Sequence, residues 1–363
     1  MDSYKKELRK LTDLIAVTGH EENMIQYMFS RFKEYTDNVR VDKIGNVIAF
    51  FKGKNKKATS IMIFAHMDEI GLMIKKVSKN GFIFIERLGG INRRVLPGTL
   101  VKVQTEKGDI NGVIGVKSHH YMNDIEKSTL PQINEIYIDI GLSIDSDIQK
   151  LGIEVGNSIS YKNCFTEFSD FVIGAKAIDN RVGCLCLLKF AEFLKHNAVF
   201  SNVYLVGTVL EEFNLKGAAV AANIIKPDLA IGIDITPSCD TPDLTDKNEV
   251  FLGSGPAITM LDFHGRGMLA GLIPDKKWRK FIEKICIDNR IPFQRSVVVG
   301  LLTDASYLPT LGEGIISASV SIPVRYSHAP IEVVDIRDIE QTQKLIELVL
   351  KNLSESNYFG KSN

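Results

Sequence analysis

The sequence predicts an α/β protein: a mostly parallel sheet flanked by helices, with a small β-barrel inserted into it. Three observations carry that prediction. Apolar runs at 60–65, 203–210, 229–235 and 315–322, rich in Ile, Val, Leu and Ala, read as buried strands. After residue 180 strand-like and helix-like segments alternate, which places helices on both faces of a sheet. Between 71 and 161 the texture changes to short alternating segments separated by glycine-containing turns, the pattern of a small barrel or sandwich. Because the strand–helix alternation resumes afterwards, that stretch reads as an insertion. The expected organisation is a main domain in two parts, 1–70 and 164–363, around an inserted β domain at 71–163.

The elements follow in order. Ser3 is placed to cap a first helix with Leu8, Leu11 and Ile15 at helical spacing, Gly19 breaks it, and 21–35 forms a second. Segments 39–42 and 46–51 form a hairpin, and 60–65 is a buried strand that delivers His66. The insertion contributes short strands at 82–85, 99–103, 112–116 and 135–140. Helix 180–195, strand 203–210, helix 216–225 and strand 229–235 come next. Strand 257–263, helix 275–289, strand 297–299, helix 305–311, strand 315–322 and helix 335–353 complete the domain, with a frayed tail at 354–363.

Composition narrows the function classes. The chain has 363 residues, 45% hydrophobic and 24% charged, as in an ordinary globular protein. Lys plus Arg and Asp plus Glu are both 44, and a net charge of zero argues against a general electrostatic binder of nucleic acid or membrane surface. The opening Met1-Asp2-Ser3-Tyr4-Lys5-Lys6-Glu7 is polar with no apolar signal core behind it, and no stretch reaches the length of a membrane span. Five cysteines at irregular spacing read as reduced thiols, so the expected compartment is the cytoplasm.

Five segments carry the chemistry: Ala65-His66-Met67-Asp68, Ala177-Ile178-Asp179-Asn180, Val209-Leu210-Glu211-Glu212, Ile233-Asp234-Ile235 and Tyr326-Ser327-His328-Ala329-Pro330. Most sit at the ends of apolar runs, where open α/β sheets bind ligands. Each has an ordinary reading by itself. His66 is a hydrogen-bonded strand-end histidine, Asp179 a helix N-cap, and Glu211-Glu212 a solvated strand end. Together, two imidazoles and three carboxylates without thiolate suit a pair of zinc, cobalt or manganese ions. Two adjacent carboxylates closing an apolar strand repel unless a cation compensates them, and one can ligate while the other stays free as a general base. Asp68, two residues along the strand from His66, points to the same face and can support its ring. Thr303-Asp304 either touches a substrate amine or caps the next helix, and His119-His120 has no acids spaced to complete a further metal site.

Taken in order, these segments resemble the glutamyl, or tetrahedral, aminopeptidase family of dinuclear zinc or cobalt metallopeptidases, some of whose members carry the name endoglucanase M. The resemblance also runs through Gly89-Gly90, 137–141, Lys216-Gly217-Ala218, Gly255-Pro256-Ala257, Thr303-Asp304-Ala305 and 322–328. It implies a zinc-aminopeptidase-like fold with Asp179 bridging two metals, His66 and Asp234 completing one site, and Glu212 and His328 completing the other. Glu211 matches the general acid/base and Asp68 the residue that orients His66. The insertion matches a dimerisation domain that helps build twelve-subunit shells. Departures fall at Asn180, where the family often has a second Asp, at Phe213-Asn214, and at Gly300-Leu301-Leu302.

The expected function is thus a metal-dependent aminopeptidase acting on short peptides. Water between the metals is the nucleophile and Glu211 its base, with self-association to a dimer or dodecamer. Two rivals are a glycoside hydrolase and a catalytically silent oligomeric scaffold. A two-carboxylate glycosidase needs its acids on opposite sides of a bond, about 5 Å or more apart. Neighbouring glutamates and a single tryptophan serve that poorly.

Overall fold

Every apolar run named above becomes a strand. The computed structural model describes residues 1–54, 59–142, 148–265, 270–354 and 359. It opens with α1 (Asp2–Asp13), α2 (Glu22–Lys33), β1 (Val39–Val41), β2 (Val47–Phe51) and β3 (Ser60–His66). The insertion holds β4 (Gly71–Val77), β5 (Ile83–Leu88), β6 (Leu100–Thr105), β7 (Gly108–Ile114), α3 (Asp124–Ser128), β8 (Tyr137–Asp139) and β9 (Ser158–Tyr161). Then follow β10 (Thr166–Glu167), β11 (Val172–Ala175), α4 (Ile178–His196), β12 (Asn202–Thr208), α5 (Gly217–Ile225) and β13 (Leu229–Pro237). The chain ends with β14 (Ala257–Phe263), α6 (Lys276–Asp288), β15 (Gln294–Val299), β16 (Ile316–Arg325), β17 (Glu332–Asp335) and α7 (Ile336–Asn352).

The main sheet runs β1-β2-β12-β3-β13-β16-β17-β11-β10, with β14 beside β16 and β15 beyond it. Strands β12, β3, β13 and β16 are mutually parallel, and the register sets Thr208 beside His66. Their carboxyl ends therefore finish on one side of the sheet, as the ligand-binding rule for open α/β sheets requires. Alternation along β3 sorts its side chains. Ile61, Ile63 and Ala65 pack with Leu185 and Phe190 of α4 and Leu345 of α7, whereas Met62 and Phe64 pack with Ala218, Ala221 and Ala222 of α5.

The insertion closes on itself as a six-stranded barrel, β4-β5-β8-β7-β6-β9, with its own core of Leu72, Ile74, Ile83, Val101, Ile138 and Ile159. Closure leaves that sheet without edges.

Several details differ from the sequence reading. Helix α1 starts at Asp2, so Ser3 lies inside it and Met1 takes the cap position. The helix expected at 305–311 is two short 3₁₀ turns, Asp304–Ser306 and Leu308–Thr310. Pro309 cannot donate the hydrogen bond that a continuous α-helix needs. Strands β4, β9, β10 and β17 were not expected. In β9 both serines of Ser158-Ile159-Ser160-Tyr161 are buried, which hides the strand from an apolar pattern. The tail lies outside the described residues from 355 on, except Phe359, whose ring sits 4.8 Å from that of Trp278. Among the described residues, no helix is long and apolar enough to cross a membrane. All five cysteines are free, and only Cys164 is exposed.

Candidate active site

The five segments meet at one end of a cavity of about 670 Å³. Asp179 stands between the two histidines. Its Oδ1 lies 3.0 Å from Nε2 of His66, and its Oδ2 lies 3.4 Å from Nε2 of His328. Glu212 Oε1 is also 3.4 Å from His328 Nε2. Asp234 Oδ1 and Glu211 Oε2 also lie near His66 Nε2, at 3.7 Å and 4.0 Å. All but the half-buried His328 and Glu212 are buried.

Both imidazoles are oriented by main-chain carbonyls. Nδ1 of His66 is 3.1 Å from the Asp68 carbonyl oxygen, and Nδ1 of His328 is 3.0 Å from that of Gly90. Donation from Nδ1 leaves Nε2 of each ring facing the carboxylates, the arrangement seen in metal-ligating histidines. A Cβ on Gly90 would come within 2.8 Å of His328 Nδ1, so glycine is what lets that carbonyl approach. The Asp68 carboxylate, 3.6 Å from His66 Nδ1, accepts instead from the backbone N–H of Glu211 at 3.1 Å and of Glu212 at 3.0 Å.

Electrostatics fit a cation at this cluster. Burial, reinforced by Glu212, Asp234 and Asp304, pushes the Glu211 carboxyl well above its usual range against the pull of His66. Burial also raises Glu212 to about 8, opposed by His328 and reinforced by Asp179. Burial disfavours a charged His66, yet Glu211, Asp179, Asp234 and Asp68 outweigh it and hold the ring well above its ordinary value. Carboxylates crowded this way seek positive charge. Donor atoms of His66, Glu211 and Asp234, and of His66, Asp179 and Glu212, each close to within 4.8 Å, and Asp304 Oδ1 is buried without a partner. An all-oxygen-and-imidazole set of this kind suits borderline and hard divalent ions.

A model of the M42 glutamyl aminopeptidase family matches residues 45–345. The chain belongs to that family. It is 39% identical over 344 residues to the Escherichia coli (strain K12) protein SgcX, covering 95% of this chain and 92% of that one. Aminopeptidase APDkam598 from the archaeon Desulfurococcus kamchatkensis superposes with a TM-score of 0.90 at 36% identity, over 97% of this chain and 96% of the other. The Pyrococcus horikoshii TET1 peptidase, described as assembling into a tetrahedron or a large octahedral shell, gives 0.85 at 28% identity over 96% and 100%. M42 is a family of metal-dependent peptidases, and the cluster has a donor set to match.

Further residues of this M42 chain support the cluster, and Glu332 among them escaped the sequence reading. Glu332, on β17, accepts from the backbone N–H of Asp179 at 2.8 Å and of His328 at 2.6 Å, tying two candidate ligand segments together. The lone acid in the apolar run Ile331-Glu332-Val333-Val334 was its only local signal. Lys176, fully buried, reaches Glu69 at 2.6 Å, and Arg181 donates to the carbonyls of Leu11 and Met67 beneath the His66 loop. Asn180 donates to the Ile233 carbonyl at 2.8 Å and accepts from Gly183 N–H, so it supports β13 next to Asp234. Asp304 accepts from Thr208 at 2.6 Å, behind the cluster and not at the cavity wall. His119 and His120 sit exposed on a 3₁₀ turn of the insertion, remote from any acid–imidazole cluster found among the described residues. The single tryptophan, Trp278, is fully buried, so it offers no platform on which a sugar could stack.

Proposed function

We propose that the chain is a dinuclear metallo-aminopeptidase that removes N-terminal residues from short peptides. The observation that carries this reading is Asp179, one carboxylate whose two oxygens face two imidazoles with tethered Nδ1 atoms. Asp179 would be shared by two divalent ions, zinc or cobalt and alternatively manganese. His66 and Asp234 would complete one site, and Glu212 and His328 the other. When bound, such ions polarise a carbonyl and acidify water.

The chain's own residues do the rest. Glu212, the glutamate that faces His328, would ligate, and Glu211, on the His66 side, would move protons. Glu211 takes the proton from the attacking water and delivers it to the departing amine, the work of a positioned carboxylate. Asp68 keeps both glutamates in place through their N–H groups and fixes His66 through its own carbonyl. Val299, Leu301 and Leu302 line the cavity and offer apolar surface to a substrate side chain.

The reading extends to assembly. Leu100, Val116, Tyr121, Ile125 and Val155, all on the insertion, are exposed apolar side chains, and they support self-association through the barrel into a dimer or a twelve-subunit shell. Phe82 and Tyr137, on the same barrel, are half-buried and pack on one another with rings 5.1 Å apart. A cytoplasmic peptide-trimming role accords with these features.

A panel of aminoacyl chromogenic substrates, offered to chelator-treated protein with zinc, cobalt or manganese added back singly, tests the proposal. Hydrolysis should need the metal and a free α-amine. Equal cleavage of N-acetylated substrates, or activity untouched by chelation, would contradict it.

A further inference from the structure

The turn that carries the two glutamates is held by side chains brought in from three distant parts of the chain. Four consecutive backbone N–H groups leave the end of β12, and each meets a side-chain oxygen. Val209 donates to Asn46 Oδ1 at 3.1 Å and Leu210 to Glu21 Oε1 at 3.1 Å. Glu211 and Glu212 donate to the two oxygens of Asp68. Leu210 also adopts φ 58°, the left-handed region that a bulky side chain enters only at a cost of roughly 1–2 kcal/mol. Such a conformation persists where its surroundings over-determine it.

Glu21 is the least expected member of this cradle. It lies between α1 and α2, is only 5% exposed, and the same oxygen accepts from Gly19 N–H at 2.8 Å. It does not line the cavity and belongs to neither donor set. Burying a carboxyl group costs far more than burying an apolar side chain, and here one of its oxygens satisfies two main-chain donors. One of those donors is the residue directly before Glu211.

We propose that Glu21 is a positioning residue for the general base: by holding the left-handed turn at Leu210 it sets where the Glu211 carboxylate sits, without touching substrate. The N-terminal helical pair is thereby part of the catalytic apparatus, and not only a cover for the sheet. This inference rests on the assignment of Glu211 as the base.

A mutant cycle tests it on the full-length, metal-loaded protein. Glu21→Leu removes the acceptor and should lower kcat by about 10–100-fold, the scale of a misplaced catalytic group, with KM and metal content nearly unchanged. Glu21→Gln keeps an acceptor oxygen and should recover most of that loss. In a Glu211→Gln background, Glu21→Leu should cost less than about 2-fold more, because groups acting through one another are not additive. Full multiplication of the two losses, or an unimpaired Glu21→Leu, overturns the proposal while leaving the base assignment intact. Wild-type turnover in Glu211→Gln overturns both. Should Glu21→Leu not fold, Glu21→Ser, whose hydroxyl falls short of Leu210 N–H, goes through the same cycle.

Discussion

Asp179 is the residue on which the site turns, and its surroundings explain how one carboxylate serves two partners. Glu332 holds its N–H from 153 positions away in sequence and holds that of His328 with its other oxygen. His66 and His328 together hold the Asp179 carboxyl below its ordinary value, although burial pushes the other way. Asp179→Ala should therefore release both ions together, whereas His66→Ala and His328→Ala should each deplete mainly one. Metal analysis of the purified variants checks this, and two full sites in Asp179→Ala would refute the bridging role. The candidate ligands stand out in the sequence because each is an acid or imidazole and most sit at the end of an apolar run. Glu332, Glu21 and Asn46 do not. Each acts by accepting N–H groups from segments remote in sequence, and such a contact leaves no local pattern.

Elements show the same division between what periodicity records and what packing decides. The parallel strands β3, β12, β13 and β16 were readable because they are largely buried and each has at least one face of mainly apolar residues. Strand β17 was missed because its pattern is short and its acid points into the site. The start of α5 shows how tightly an element can be bound to the chemistry. A Cβ on Gly217 would collide with the Val209 carbonyl, and Asn46 bridges the two places by donating to the Gly217 carbonyl while accepting from Val209 N–H. Gly217→Ala should cost about 1–3 kcal/mol, the usual scale of overpacking, read as a lower melting temperature.

Helix α7 carries a second test, of pH dependence. Asp338 accepts from the N–H groups of Gly253 and Gly255 at 2.7 Å and 2.8 Å, and burial raises its carboxyl from 3.8 to about 6. The folded protein thus keeps this proton where the unfolded chain releases it. Asp338's contribution is whole below a pH of about 4 and is lost as the pH climbs through about 6. Asp338→Asn, which does not titrate, should melt along a flatter line across that window than the wild type. A constant offset between the two would show that Asp338 is not the titrating group.

At the scale of the whole molecule, a parallel α/β domain supplies the chemistry and a closed barrel with its own core supplies exposed apolar surface. Tyr121 and Ile125, 81% and 73% exposed, stand at the outer side of the insertion, so a charge at both should block association there. Light scattering should show the wild type as at least a dimer at micromolar concentration, and Tyr121→Asp with Ile125→Asp as a smaller species that still cleaves small aminoacyl substrates. A monomeric wild type would remove the barrel's proposed role. The central claim, that this fold gathers two cations to make an aminopeptidase, is tested most directly by titrating metal-stripped, full-length protein with zinc or cobalt while following hydrolysis of an aminoacyl p-nitroanilide. Activity should be absent at the start and rise to a plateau at two equivalents per chain. Full activity in the stripped protein, or a plateau at one equivalent, would contradict it.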